Sequence, residues 1–167
     1  MDPAKAPGLR FAQIFLSHAE FAHREDMLAL DPRTPIPESR VNIGMRLLQA
    51  KETGSIATFL QVASDPTDPN AVYRFVVEMC ALVEQVPGQE NMTPREYVTS
   101  GAAAATLYPF VRETVANLTW KGRFGPIWLN PFNFQAAFAS ASVSDSLTPA
   151  QAPTKTLRRK RRARGDK

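Results

Sequence analysis

The sequence predicts an α+β fold: about four antiparallel strands, then helices packed on one side of the sheet. Three observations predict it. Residues 71–85 alternate strictly, with Tyr73, Phe75, Val77, Met79, Ala81 and Val83 on one face. From Leu107 the period changes, and Leu107, Phe110, Val111, Val115 and Leu118 form one helical stripe. All the strand-like segments precede the helical ones, which is not the alternating order of a parallel α/β sheet.

Residues 1–8 hold two prolines and no pattern, and read as a flexible terminus. Residues 9–21 form the first strand, with Phe11, Phe15, Ala19 and Phe21 on one face and Ile14 and Leu16 on the other. Apolar groups on both faces predict burial on both sides, at a subunit contact. Residues 22–39 are a crossover. Pro32, Pro35 and Pro37 exclude a regular helix or central strand through its second half, yet it carries Met27, Leu28, Leu30 and Ile36. A long loop this apolar is functional or packed over something.

Residues 40–51 alternate again, Val41, Ile43, Met45 and Leu47 against Asn42, Gly44 and Arg46. A turn at 53–55 leads to a strand at 56–63, with Ile56, Thr58, Leu60 and Val62 on one face. Residues 64–70, SDPTDPN, break the chain before the strand at 71–85. Its second face carries Arg74, Val76, Glu78, Cys80, Leu82 and Glu84. After a loop, Thr93, Pro94 and Glu96 read as N-cap, N1 and N3 of a helix over 97–105. Gly101 and the alanines at 102–105 offer a small face for a second helix or subunit. A new helix is expected near Leu107, because Pro109 belongs near a start, and Lys121-Gly122 reads as its stop. An apolar loop with Pro126 and Pro131 carries Phe124, Ile127, Trp128, Leu129 and Phe132, and Asn133 caps a short segment at 134–138. The folded domain is expected over 9–142. Residues 143–167 read as a disordered Ser/Ala/Pro-rich tail ending in a basic run.

The net charge of +4 misleads. Residues 155–167 hold eight Lys/Arg and one Asp, a net of +7, which leaves −3 for the rest. The run lacks interleaved aromatics and a recognition fold, so it offers only salt-sensitive, sequence-blind contact with nucleic acid, a reading ranked behind the others. No apolar run approaches the ~20 residues of a membrane span. The first residues lack the apolar core of a signal peptide. Cys80, the one cysteine, has no internal disulfide partner, which fits a reducing cytoplasm. His18 and His23 fall on opposite faces of an extended segment and lack zinc-ligand spacing. Cys80 reads as an inert half-buried thiol, and Glu78 and Glu84 as solvated carboxylates. The glycines are scattered and make no phosphate cradle. No enzyme, metal or cofactor is predicted.

The stretch from Leu107 to Phe138 resembles the SecB family of export chaperones. The matching residues are Tyr108-Pro109-Phe110-Val111-Arg112-Glu113, then Gly122-Arg123-Phe124, then Leu129-Asn130-Pro131-Phe132-Asn133-Phe134-Gln135-Ala136-Ala137-Phe138. The weaker strand pattern extends the resemblance to residues 9–139. It implies a SecB-like fold assembled as a dimer of dimers, a homotetramer, acting without nucleotide as a holdase. In that family many members dock on the translocase motor ATPase through acids of the outer sheet face and through the C-terminal helix. Here His18 and Ala22 stand at two matching positions, and a third falls near Val76, two residues from Glu78. Met27, Leu28 and Leu30 replace a proline-containing aromatic motif, and the tail is basic where the family's is commonly acidic.

The crossover and the Pro126/Pro131 loop together offer Met27, Leu28, Leu30, Ile36, Phe124, Ile127, Trp128, Leu129 and Phe132. If both flank one side of the sheet they form a groove for unfolded or precursor polypeptides, held by apolar area burial. The competing assignment is core closure. It stands level with the groove for Ile127 and Trp128 and ahead of it for Leu129 and Phe134. The leading function is an export holdase, with a SecB-like chaperone dedicated to one client such as an antitoxin as its close variant; the second class is a nucleic-acid-associated protein acting through the basic run.

Overall fold

The computed structural model describes residues 9–33, 35, 38–49, 56–85 and 93–140. Ile36, the turn at 53–55, both expected flexible ends and the basic run lie outside the described residues. The four strands are β1 (Leu9–His23), β2 (Val41–Gln49), β3 (Ile56–Ser64) and β4 (Tyr73–Gln85). They form one antiparallel sheet in the order β1-β4-β3-β2. Three helices follow: α1 (Pro94–Thr99), α2 (Ala102–Trp120) and α3 (Phe134–Ser140).

Period-2 alternation places Leu60, Val62, Tyr73, Phe75, Val77 and Met79 on the inner face, where α2 covers them with Leu107, Val111 and Val115. α1 starts with the expected capping box. Glu96 N donates to Thr93 Oγ1 at 3.2 Å, and Thr93 N donates to Glu96 Oε2 at 2.7 Å. Asn133 caps α3, its Oδ1 accepting from Ala136 N at 3.0 Å.

Several expectations are corrected. β1 does not alternate regularly. Its register with β4 shifts between Phe11 and Gln13 and again between Leu16 and His18. Each shift adds one residue and exchanges the faces that follow. Ile14 and Leu16 therefore stand opposite Ala81 and Met79 on the inner face, and Phe15 falls outside opposite Cys80. The helix break lies at Gly101 rather than near Leu107, and Pro109 sits well inside α2. Pro109 supplies no N–H to the carbonyl of Ala105, but both residues are exposed, so water can reach that carbonyl.

Gly101 takes φ 77°, and a Cβ there would meet the backbone of Phe134 at 2.9 Å. The small face is thus used by α3 within the chain. Phe110 is not on the buried stripe; it is 41% exposed. Gly122 stops α2 through space rather than conformation, since a Cβ there would lie 2.4 Å from the Tyr73 hydroxyl oxygen.

Candidate functional site

The segment after α2 is built on Tyr73, whose hydroxyl accepts from Phe124 N at 2.7 Å and donates to Gly125 O at 3.1 Å. Burial pushes the Tyr73 hydroxyl up, against the opposing bond from Phe124, so it stays a donor near neutral pH. His23 Nε2 accepts from Arg123 N at 3.2 Å, and the rings of Phe21 and Phe124 pack on Tyr73. Beyond this turn the chain runs back along α2. Ile127 N donates to Thr119 Oγ1 at 2.8 Å. Arg112 Nε donates to Leu129 O at 2.8 Å, and Tyr108 Oη donates to Asn130 O at 2.7 Å. As the segment advances its partners step towards the start of α2, so the two run antiparallel.

Strapped in this way, the segment alternates. Ile127 and Leu129 turn inward: Ile127 packs against the core and Leu129 is 5% exposed within it. Trp128 and Phe132 turn outward, 66% and 46% exposed. A shallow pocket of about 440 Å³ lies beyond, lined by Ala105, Pro131, Phe132, Asn133, Phe134 and Gln135.

The crossover, residues 24–40, is pinned at both ends to the β3–β4 turn. At its start Arg24 Nη1 donates to Asp68 O at 2.8 Å and Ala71 O at 3.1 Å. At its end the buried Asp68 carboxylate accepts from Arg40 N at 2.6 Å, and from Asn70 N at 2.9 Å. These backbone N–H groups hold the Asp68 carboxyl below the usual carboxylate range. The crossover also meets the other loop. Arg123 Nη2 donates to Leu30 O at 3.2 Å, and Asn130 Nδ2 donates to the carboxylate of Glu38. Leu28 and Leu30 are 43% and 42% exposed, and Met27 is half-buried.

The structure thus brings Leu28 and Leu30 beside a segment that presents Trp128 and Phe132. Phe124 and Ile127 are half-buried against the core, and Leu129 and Phe134 are in it. The fasteners Arg24, Asp68, Tyr73 and Arg112 were missed as functional residues. The Asp-rich breaker at 64–70 could have signalled Asp68, since short carboxylates accept from nearby backbone N–H groups. A hydroxyl reaching a distant loop leaves no periodic trace.

The outer face of the sheet carries the other correction. Glu78 and Glu84 are paired, not simply solvated. Arg10 Nη2 reaches Glu84 Oε2 at 3.0 Å. Arg46 grips Glu78 with two bonds, Nε to Oε2 at 3.1 Å and Nη2 to Oε1 at 2.9 Å, and Ser17 Oγ also donates to it. The Arg46 guanidinium lies 3.6 Å over the ring of Phe59. Burial pushes the Glu78 carboxyl up, but the bonds from Arg46 and Ser17 outweigh it and leave it below its ordinary value. Cys80 is buried, and burial pushes its thiol up. Among the described residues no three His, Cys, Asp or Glu side chains group to hold a metal, and no helix is long and apolar enough to cross a membrane.

Comparison with known proteins converges on one family. The sequence profile of the family described as preprotein translocase subunit SecB matches residues 4–144. The chain is 22% identical over 151 residues to the protein-export protein SecB of Methylocella silvestris, covering 89% of this chain and 91% of that protein. It is 26% identical over 132 residues to the protein-export protein SecB of Bartonella bacilliformis, covering 74% of this chain and 77% of that one. Its fold is similar to that of a SecB-like chaperone from Mycobacterium tuberculosis, solved in complex with a peptide from an antitoxin. The TM-score is 0.50 at 16% identity, over 75% of this chain and 88% of that one.

Proposed function

The chain belongs to the SecB family of preprotein translocase subunits, and we propose that it is an ATP-independent holdase, acting in the cytoplasm as a homotetramer, that keeps unfolded or precursor polypeptides export-competent for the Sec translocase. One observation carries the reading: Leu28, Leu30, Trp128 and Phe132 are exposed on two loops fastened to each other and to the sheet. Large apolar side chains held outward on a rigid base can bury client surface at about 25 cal/mol per Å² before ordering costs. Trp128 loses little side-chain freedom on binding, and Met27 adapts to varied sequence.

A second reading, a SecB-like chaperone dedicated to one client such as an antitoxin, is favoured by the outer face. Glu78 is nearly buried and held internally by Arg46 and Ser17, so this carboxylate is not free for docking on the motor ATPase. The test compares Leu28→Ser, Leu30→Ser and Trp128→Ser with Leu129→Ser. The first three should keep the melting temperature and fail to suppress aggregation of an unfolded client, with no nucleotide added. Leu129→Ser should unfold early, losing several kcal/mol from a core position. Exposed-site variants that hold clients as well as wild type would overturn the groove. Retained holding without binding to the motor ATPase would select the dedicated chaperone.

A further inference from the structure

The two loops of the candidate site are tied to each other at two points. Arg123 Nη2 donates to Leu30 O at 3.2 Å, and Asn130 Nδ2 donates to the Glu38 carboxylate. The ties lie seven residues apart along the segment and eight along the crossover, so the two chains run in the same direction. Arg123 joins three parts of the fold. Its own N–H donates to His23 Nε2 at 3.2 Å, which fixes the turn after α2 to the end of β1. Its side chain meets the end of a short turn in the crossover. There Leu28 N donates to Glu25 O at 3.2 Å and Leu30 N donates to Met27 O at 3.1 Å. The Glu25 and Met27 carbonyls are spent within that turn, and the Leu30 carbonyl is met by Arg123 instead, as a cation caps the last carbonyls of a helical turn. Leu28 and Leu30 ride on this turn and are exposed. Arg123 thus sets where they stand relative to the segment that carries Trp128. Both ties are exposed, so they contribute little to global stability.

We propose that Arg123 is a positioning residue for client holding. It acts through the Leu30 carbonyl: the tie keeps Leu28 and Leu30 at one distance from Trp128, so a client meets both loops as a single surface. Without the tie the crossover has to be ordered at the moment of binding, and that cost is subtracted from the affinity. The inference rests on the groove reading and adds to it a charged residue that touches no client.

The probe is a fluorescent peptide of about fifteen residues with leucine at every third position, long enough at about 3.3 Å per residue to reach both loops. Its binding is read by anisotropy against the full chain. Arg123→Met keeps the aliphatic stem and the backbone N–H and removes the donor. It should bind the peptide about fivefold more weakly, the worth of one exposed hydrogen bond, at an unchanged melting temperature. Arg123→Lys returns a donor and should recover most of that loss. The decisive measurement is a cycle with the pair Leu28→Ser and Leu30→Ser, which removes both side chains that the tie positions. The pair alone should weaken binding, and adding Arg123→Met to it should cost less than about twofold more. Equal binding by Arg123→Met and wild type overturns the proposal and leaves the groove standing, since the serine pair still binds weakly. A fivefold loss that persists in the serine-pair background also overturns it, because Arg123 would then act independently of that turn. A lower melting temperature in Arg123→Met would mark a structural residue and overturn it too. If the serine pair binds as tightly as wild type, the groove reading falls, and this inference with it.

Discussion

The two faces of the β3–β4 pair are built from alternate residues of the same strands and are stabilised in different ways. Inward, Leu60, Val62, Val77 and Met79 meet α2 in an apolar layer. Outward, Gln61 and Glu78 pair in register one residue away, and Glu78 is closed over by Arg46 from β2 and Ser17 from β1. The inner face excludes water. The outer face holds a carboxylate that is itself almost buried yet satisfied by charge and hydrogen bonds. The contrast is one of chemistry: the apolar layer positions the loops, while the outer network satisfies the Glu78 carboxylate through Arg46 and Ser17.

The largest effect expected from this contrast is Leu60→Ala. Leu60 is fully buried, and truncation should cost about 2–5 kcal/mol in chemical denaturation. Leu48→Ala on the exposed part of the outer face should fall within about 0.5 kcal/mol. Similar losses at both sites would mean that the outer face is covered in solution.

Next comes Arg46→Met, which leaves the Glu78 carboxylate buried against Ser17 alone. The pair is half-exposed at the arginine, so the loss should be about 1–3 kcal/mol, less than for a fully buried pair. Its pH dependence gives the sharper test. The folded-state pKa of Glu78 is below its unfolded value, so its contribution is present above the ordinary glutamate range. That contribution is lost as pH falls through about 4.3 and below. Without Arg46 the largest interaction opposing burial is gone, so the variant's loss of stability on acidification should shrink. A wild-type chain and variant that lose stability in parallel on acidification would show that Glu78 is not the responsible group.

The same contrast explains what could be read from the sequence. β4 was legible because its inward residues are uniformly apolar and its outward ones mixed, so the period is visible. β1 was not. At an edge its outward side chains are exposed, and both Phe15 and Leu16 are apolar, so nothing marks where the register shifts fall. Glu78 looked solvated because its partner Arg46 is two strands away, a distance no local pattern reports. In the candidate site the inward turn of Leu129 was favoured and is seen, and Ile127 now sits with the core. The alternation that turns Trp128 out depends on Arg112 and Tyr108, whose bonds to backbone carbonyls are set by tertiary placement alone.

Thr119→Val ranks third. This buried hydroxyl donates to Val115 O at 2.8 Å and accepts from Ile127 N at 2.8 Å. Its loss leaves the Ile127 N–H unpaired and should cost about 1–2 kcal/mol. It should also loosen the segment that presents Trp128, read as faster amide exchange at Ile127. Unchanged exchange there would mean that Thr119 does not hold the segment.

The smallest effect runs the other way. Thr58 sits on the inner face between the strands of Leu47 and Ala81, fully buried, and its Oγ1 has no hydrogen-bond partner among the described residues. Thr58 and Ser64 are the two polar side chains on the inner face of β3; Ser64 Oγ accepts from Phe75 N, whereas the Thr58 hydroxyl has no partner among the described residues. A buried hydroxyl without a bond loses its hydration and gains nothing in return. Thr58→Val keeps the branched shape and removes that defect, so the variant should be more stable by about 1 kcal/mol, read as a higher denaturation midpoint at unchanged slope. The paired valines thus give opposite signs from one chemical change: Thr119→Val destabilises because its hydroxyl is bonded, Thr58→Val stabilises because its hydroxyl is not. A Thr58→Val chain weaker than wild type would show that the hydroxyl is satisfied in solution. The inner face would then hold a second satisfied side-chain hydroxyl besides Ser64, and the dry layer would be broken at its centre as well as at the end of β3.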